Sequence, residues 1–260
     1  EFFPLISGTI GKTQASTHFL KGAHRAQGMR KTMWHRMLAG LRGERIAEHF
    51  FNRDVWVNFE LAAVIVLASG KFVFGDVLEQ DVWFAVAGGA ACLAYIFART
   101  HARPGLIEVW GFSSKNLHSS MSVTLPVTAA CVAATVWYGT AAGTAVFHWH
   151  MAAVLLLYPL WGIVQQFLLV VLVAGNVDRL TGGRLPRLFI VLPTAVLFAL
   201  VHIPVPELMG ATFLMGCFTT AMFLRYRSLS ALGLFYGIFA TALYYFVLGE
   251  DPLRGFMPFL

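Results

Sequence analysis

The chain contains 260 residues, of which 58% are hydrophobic and 12% are charged, and its formal net charge is +6. A soluble domain carries about 25% charged residues, so this composition excludes an ordinary soluble globular protein. The three cysteines stand in separate apolar runs without zinc-type spacing, which excludes a disulfide framework. Together with the long apolar runs described below, the composition predicts an all-α fold, a polytopic bundle of about seven membrane-spanning helices.

The N-terminal segment, residues 1–54, carries nine basic and four acidic side chains, a net charge of +5. Apolar residues recur at helical spacing between Gly28 and Phe51, namely Met29, Met33, Trp34, Met37, Leu38 and Leu41. Basic residues fall mostly off this stripe, which predicts an amphipathic helix in the headgroup plane that binds anionic lipid. The alternative is a solvated basic tail. Next to a span, the charge indicates lipid rather than nucleic acid as the partner.

Seven apolar runs follow this segment and predict the membrane spans. They define a transmembrane domain at 55–250 and leave a short C-terminal tail at 251–260. The approximate spans are 55–74, 82–98, 121–138, 150–174, 187–203, 207–224 and 230–248.

The basic residues between the spans predict the orientation. With the N-terminus inside, 17 of the 19 Lys and Arg residues fall on the inner side, whereas the outer loops are acidic or neutral. Cytoplasmic loops of membrane proteins carry such an excess of positive charge. We therefore expect an integral protein of a bacterial-type inner membrane, with a cytoplasmic N-terminus and an external C-terminus.

Small residues predict where two helices approach closely. The seventh span contains Gly233-x-x-x-Gly237, and the end of the third contains Gly139-x-x-x-Gly143. Such spacing lets helix backbones meet inside a membrane, and the motif within the seventh span is the stronger signal.

Polar side chains inside the spans are the candidate functional residues, because each costs free energy in lipid unless it is paired. Gln165 and Gln166 lie in the fourth span, His202 lies near the end of the fifth, and Tyr236 lies in the seventh. A structural interpretation stays open for each. The glutamines would hydrogen-bond between helices, His202 would bind carbonyls freed near Pro204, and Tyr236 would pack.

These positions resemble three motifs of the CPBP family, which comprises the CAAX prenyl endopeptidases and the bacteriocin-processing Abi proteins. The resemblance covers about residues 105–250. The family's Phe-x-x-x-His motif is intact as Phe198-x-x-x-His202. Its Glu-Glu pair is replaced by Gln165-Gln166, and its third-motif histidine is replaced by Tyr236.

The resemblance implies the fold, whereas the replacements argue against the family's hydrolysis. Family glutamates are taken to activate a water molecule, and an amide cannot accept that proton. The family's arginine and asparagine are also replaced, by Val170 and Ala240. We expect a non-catalytic accessory, assembly or stabilising subunit that binds other integral membrane proteins, lipid or a hydrophobic ligand. This interpretation predicts a filled core.

The rival interpretation is an intramembrane endopeptidase with an altered site, which predicts a polar, water-accessible cavity reaching Gln165, Gln166 and His202. A third is a cofactor-binding subunit that uses His148 and His150, with His118 as a further donor. Two histidines separated by one residue point to different sides of a helix, so we expect neither a metal nor a cofactor there.

Overall fold

The structure is a computed structural model that describes residues 55–78 and 80–254. All regular structure in these ranges is helical, with no strand, which confirms the predicted all-α class. From Val57 onward the described residues belong to one compact unit. The predicted interfacial helix of the N-terminal segment lies outside the described residues.

The helices are labelled in chain order. Helix α1 covers residues 55–71 and continues as a π-helical segment, Phe72–Val77. The next four helices are α2 (Asp81–Ala102), the short α3 (Leu106–Val109), α4 (Leu117–Ala142) and α5 (His150–Gln166). A π-helical segment, Phe167–Gly175, joins α5 to α6 (Asn176–Leu180). The remaining described helices are α7 (Leu188–Leu200), α8 (Pro206–Tyr226), α9 (Leu229–Ala242) and the π-helical segment Leu243–Leu248.

Six helices are long and apolar enough to cross a membrane, which confirms an integral membrane protein. Their bounds are Val55–Gly75, Val82–Ala102, Leu106–Ala142, His150–Leu180, Pro206–Tyr226 and Leu229–Leu248. The predicted fifth span corresponds to α7, whose 13 residues extend about 20 Å. Because a bilayer core is about 30 Å thick, α7 is shorter than a full span.

The centre of the bundle is the contact between α5 and α9, the most extensive pair of helices in the described chain. Gly233 and Gly237 make it possible: a Cβ on Gly237 would lie 2.3 Å from the Pro159 nitrogen, and one on Gly233 would lie 2.4 Å from Ile163 Cγ1. Gly162 faces Gly233 from the α5 side. The packing predicted for this motif is confirmed.

A buried carboxylate connects α1 to two other parts of the bundle. Glu60 is 3% exposed, and it accepts hydrogen bonds from the Tyr95 hydroxyl at 2.6 Å and from Asn176 Nδ2 at 2.7 Å. The guanidinium groups of Arg99 and Arg179 lie 3.8 and 3.9 Å from its oxygens. A carboxylate is stable at such depth only when it is paired and hydrogen-bonded, so this network fixes the packing of α1.

Candidate functional site

A partly enclosed cavity of about 370 Å³ lies between α1, α2, α5 and the end of α7. Most of its walls are apolar. The apolar lining residues include Val64, Leu67, Phe84, Gly88, Trp161, Leu168, Leu197 and Val201. Among the described lining residues, the polar groups are Lys71, Gln165, His202 and Tyr244. The cavity therefore offers a long apolar surface and a few polar groups, a combination typical of small-molecule sites.

Three of the five family-motif positions meet at this cavity: Gln165, Phe198 and His202. His202 Nδ1 lies 2.8 Å from the Phe198 carbonyl oxygen, and the two rings are 5.2 Å apart, edge to face. Because a carbonyl oxygen only accepts, Nδ1 is the donor in this bond, and Nε2 of the neutral imidazole is then an acceptor. The Phe-x-x-x-His spacing thus orients the ring across one helical turn.

Gln165 is the polar group of α5 that faces the cavity. Its side-chain oxygen is buried and has no hydrogen-bond partner among residues 55–78 and 80–254. Lys71, at the end of α1, also lines the cavity and donates from Nζ to the Ile203 carbonyl at 3.4 Å. A ligand with a hydrogen-bond donor and an acidic or polar head group would complement these two side chains.

The other two motif positions lie in the core instead. Gln166 is fully buried, and neither atom of its amide has a hydrogen-bond partner within the described chain. Tyr236 is also buried, and its ring lies 6.3 Å from that of Phe198. The interhelical hydrogen bonds expected of Gln166 are therefore not formed, whereas Tyr236 packs as expected.

His148 and His150 belong to a second polar cluster, at the opposite end of α5 from Gln165. His148 precedes the helix and His150 is its first residue, so the expectation that helix geometry would separate them is wrong. Both face Asp251: His150 Nδ1 lies 2.6 Å and His148 Nδ1 3.8 Å from Asp251 Oδ2. Their rings are 4.1 Å apart.

Asp251 is only partly buried as a residue, but its side chain is 4% exposed and is held by further donors. Its Oδ1 accepts from the Tyr245 hydroxyl at 2.7 Å and from the Leu253 N–H at 3.1 Å. Burial alone would raise the pKa of this carboxyl, but the hydrogen bonds from His150, Tyr245 and Leu253 outweigh it and hold the pKa below its usual value. No sequence motif predicts this pairing, because 101 positions separate Asp251 from His150.

A scan against protein-family models finds no match for this chain. Searches of curated proteins and of solved structures find no match either. The CPBP resemblance therefore stays a prediction from the motif residues.

Proposed function

We propose that this protein is a non-catalytic, CPBP-like membrane protein that acts by binding, as an accessory or stabilising subunit. Its cavity takes the apolar chain of an amphiphile, either a lipid or a hydrophobic segment of another membrane protein. Lys71, Gln165 and His202 contact the head group of that ligand. We further propose the inner membrane as its location, with the N-terminus inside, which the positions of its basic residues support.

The composition of the cavity carries this proposal. Gln165, Phe198 and His202 line it together, yet no carboxylate, thiol or aliphatic hydroxyl stands among its described lining residues. Hydrolysis by the family's route needs a carboxylate that accepts a proton from water. Binding needs only apolar area with a few convergent polar groups. The cavity also means that the core is not filled here, so the bound ligand supplies the missing contacts.

One observation favours an altered-site endopeptidase as the second candidate. His202 lines the cavity, and its Nε2 is the acceptor nitrogen when Nδ1 donates to Phe198. An imidazole in this state is a general base. It would act without a neighbouring carboxylate among the described lining residues, whereas the family's mechanism relies on the glutamates.

A photoaffinity probe tests the binding proposal. The purified full-length protein is labelled with a long-chain fatty acid that carries a diazirine near its methyl end, and the labelled peptides are identified by mass spectrometry. We expect labelling of the peptide that contains Trp161 of α5 and Leu168 of the following π-helical segment, called the α5 peptide below. Ala85→Phe, which places a ring in the cavity, should reduce this labelling at least about tenfold, the equivalent of 1.4 kcal/mol in binding.

Ala87→Phe is the matched control, because Ala87 lies in the same helix and is exposed. It should leave labelling of the α5 peptide unchanged while altering labelling at the lipid-facing surface of α2. Equal labelling of the α5 peptide in wild type and Ala85→Phe, with both proteins folded, would contradict ligand binding in the cavity.

A further inference from the structure

We propose that His148, His150 and Asp251 form a binding site for a first-row divalent transition metal, with Zn²⁺ as the representative ion. The potential ligand atoms of the three side chains all lie within 4.8 Å of one another. This site lies outside the cavity, and its proposal does not depend on the function proposed for the cavity. It would tie the N-terminus of α5 to the segment that follows the last π-helical turn.

The donor set selects the class of ion. Two imidazole nitrogens and one carboxylate oxygen suit Zn²⁺, Co²⁺ and Ni²⁺, whereas Mg²⁺ and Ca²⁺ prefer oxygen ligands throughout. Three protein ligands also leave a tetrahedral ion with one open position for water or another ligand. The site would thus bind an ion without saturating it.

The distances are close to those that an ion requires. Ligand atoms around a tetrahedral Zn²⁺ lie about 3.3 Å apart, given bonds of about 2.0–2.1 Å. The two distances to Asp251 Oδ2 are 2.6 Å from His150 and 3.8 Å from His148, on either side of that value. Each of these two distances would change by less than about 1 Å to match a bound ion, which would take the place of the hydrogen atom between His150 Nδ1 and Asp251 Oδ2.

Hydrogen bonds around the cluster already orient its ligands. Tyr245 and Leu253 both donate to Asp251 Oδ1, which leaves Oδ2 as the oxygen directed at the histidines. Such contacts to a ligating carboxylate typically contribute 10- to 100-fold to metal affinity.

The loop that carries His148 is fixed against the π-helical segment Leu243–Leu248. The Val146 N–H donates to the Tyr245 carbonyl at 2.8 Å, and the Thr144 hydroxyl donates to the Phe246 carbonyl at 2.7 Å. The ligands are therefore brought together before any ion binds, which reduces the ordering that binding requires.

The test uses the full-length protein in mild detergent, stripped of metal with a chelator. Binding of Zn²⁺ is measured by calorimetry, and Co²⁺ is added as a spectroscopic probe because its visible bands report the coordination geometry. We expect one tight site per chain with a four- or five-coordinate Co²⁺ spectrum. His148→Ala, His150→Ala and Asp251→Asn should each weaken it at least about tenfold, and Tyr245→Phe by about 10- to 100-fold.

His118→Ala is the matched control, because His118 is an exposed histidine of α4 outside the cluster. It should retain wild-type affinity and the wild-type spectrum. His148→Ala is the variant that decides, since the His148 side chain is 38% exposed and its loss disturbs the fold least. At the same concentration, Zn²⁺ should raise the Tm of wild type more than that of this variant. Absence of a tight site in wild type, or equal affinity and equal Tm gain in His148→Ala, would overturn the proposal.

Discussion

At the scale of single residues, Glu60 has the largest expected effect on stability. It places a carboxylate at 3% exposure inside the bundle, where hydrogen bonds from Tyr95 and Asn176 and the nearby guanidinium groups of Arg99 and Arg179 compensate the cost of burial. Removing one member of a buried charged network leaves the others uncompensated. The position is therefore structural, although a charged residue within a span is usually a candidate for function.

We expect Glu60→Gln to destabilise the protein by about 3 kcal/mol, because the amide cannot balance the guanidinium groups nearby. The loss of stability is measured by unfolding the protein in increasing concentrations of a denaturing detergent and following tryptophan fluorescence. The control is Glu108→Gln, which removes the exposed ion pair with Lys115 and should change stability by less than about 1 kcal/mol. A similar small change for both variants would show that the Glu60 network contributes little.

Asp251 gives the protein a predictable response to acid. Its pKa is held below the usual value in the folded state, so its contribution to stability is fully present above the unfolded value of about 3.9. The contribution is lost as the pH falls through the folded pKa. Asp251→Asn should lower the Tm at pH 6, and this difference from wild type should shrink as the pH approaches 3. A difference that stays constant from pH 6 to pH 3 would contradict this role.

Adjacent residues show how far sequence alone can place a side chain. Gln165 faces the cavity and Gln166 is fully buried, because successive residues of a helix point about 100° apart. The motif spacing predicted that both would matter, but the direction of each depends on how α5 is rotated within the bundle. Packing against α9 determines that rotation, and a single sequence does not contain it.

At the scale of helices, the approach of α9 to α5 depends on two glycines. The helices meet where Gly237 faces Pro159 and Gly233 faces Ile163. A Cβ at Gly237 would overlap backbone atoms of Pro159, and one at Gly233 would overlap the Ile163 side chain. Small residues four positions apart indicate such contacts between helices in membranes. The close approach was predictable because two glycines four residues apart lie on the same face of a helix. The helix that packs against this face was not predictable.

Gly237→Ala should destabilise the bundle by about 1–3 kcal/mol, because the added methyl would meet backbone rather than a movable side chain. Thermal unfolding of the purified variant measures this effect. Gly210→Ala provides the comparison, since Gly210 lies in α8 and its added Cβ would meet nothing within 4 Å. That change should be neutral or slightly stabilising. If Gly237→Ala were as stable as Gly210→Ala, the close approach of α5 and α9 would be wrong.

The short helix α7 limits how much of the membrane topology follows from hydropathy. The apolar run at 187–203 predicted a span, but the helix covers only 13 residues, Leu188–Leu200, before the turn at His202. Hydropathy counts apolar residues and does not recognise where proline and tertiary packing end a helix. The same turn orients His202 toward the cavity. The end of α7 therefore forms part of the candidate site.

At the scale of the whole molecule, the distribution of basic residues makes a prediction about topology. Seven crossings with the N-terminus inside place 17 of 19 basic residues on the inner side. A reporter fused after Leu260 should therefore read as external, and so should one inserted at Val205, between α7 and α8. A reporter at Gly182, before α7, should read as internal. Equal readings at Gly182 and Val205 would mean that α7 does not cross the membrane.

The membrane class followed from composition, because a chain with so few charged residues is not stable in water. The all-α fold followed from the long apolar runs, which are the length of membrane-spanning helices. The meeting of Gln165 and His202 at one cavity, and of His150 with Asp251, did not follow from either feature. Both depend on contacts between helices far apart in the chain. Recognisable spacing existed for Phe198 and His202, which are one helical turn apart, whereas Asp251 stands alone in the sequence.

A peptidase assay tests whether the cavity binds a ligand without hydrolysing it. Purified wild type and His202→Ala are incubated with a panel of prenylated and transmembrane peptides, and the products are identified by mass spectrometry. We expect no cleavage by either protein, and we expect His202→Ala to lose at most about 1 kcal/mol of stability. Cleavage by wild type that disappears in His202→Ala, with the fold of the variant intact, would contradict the non-catalytic proposal and establish the altered-site endopeptidase.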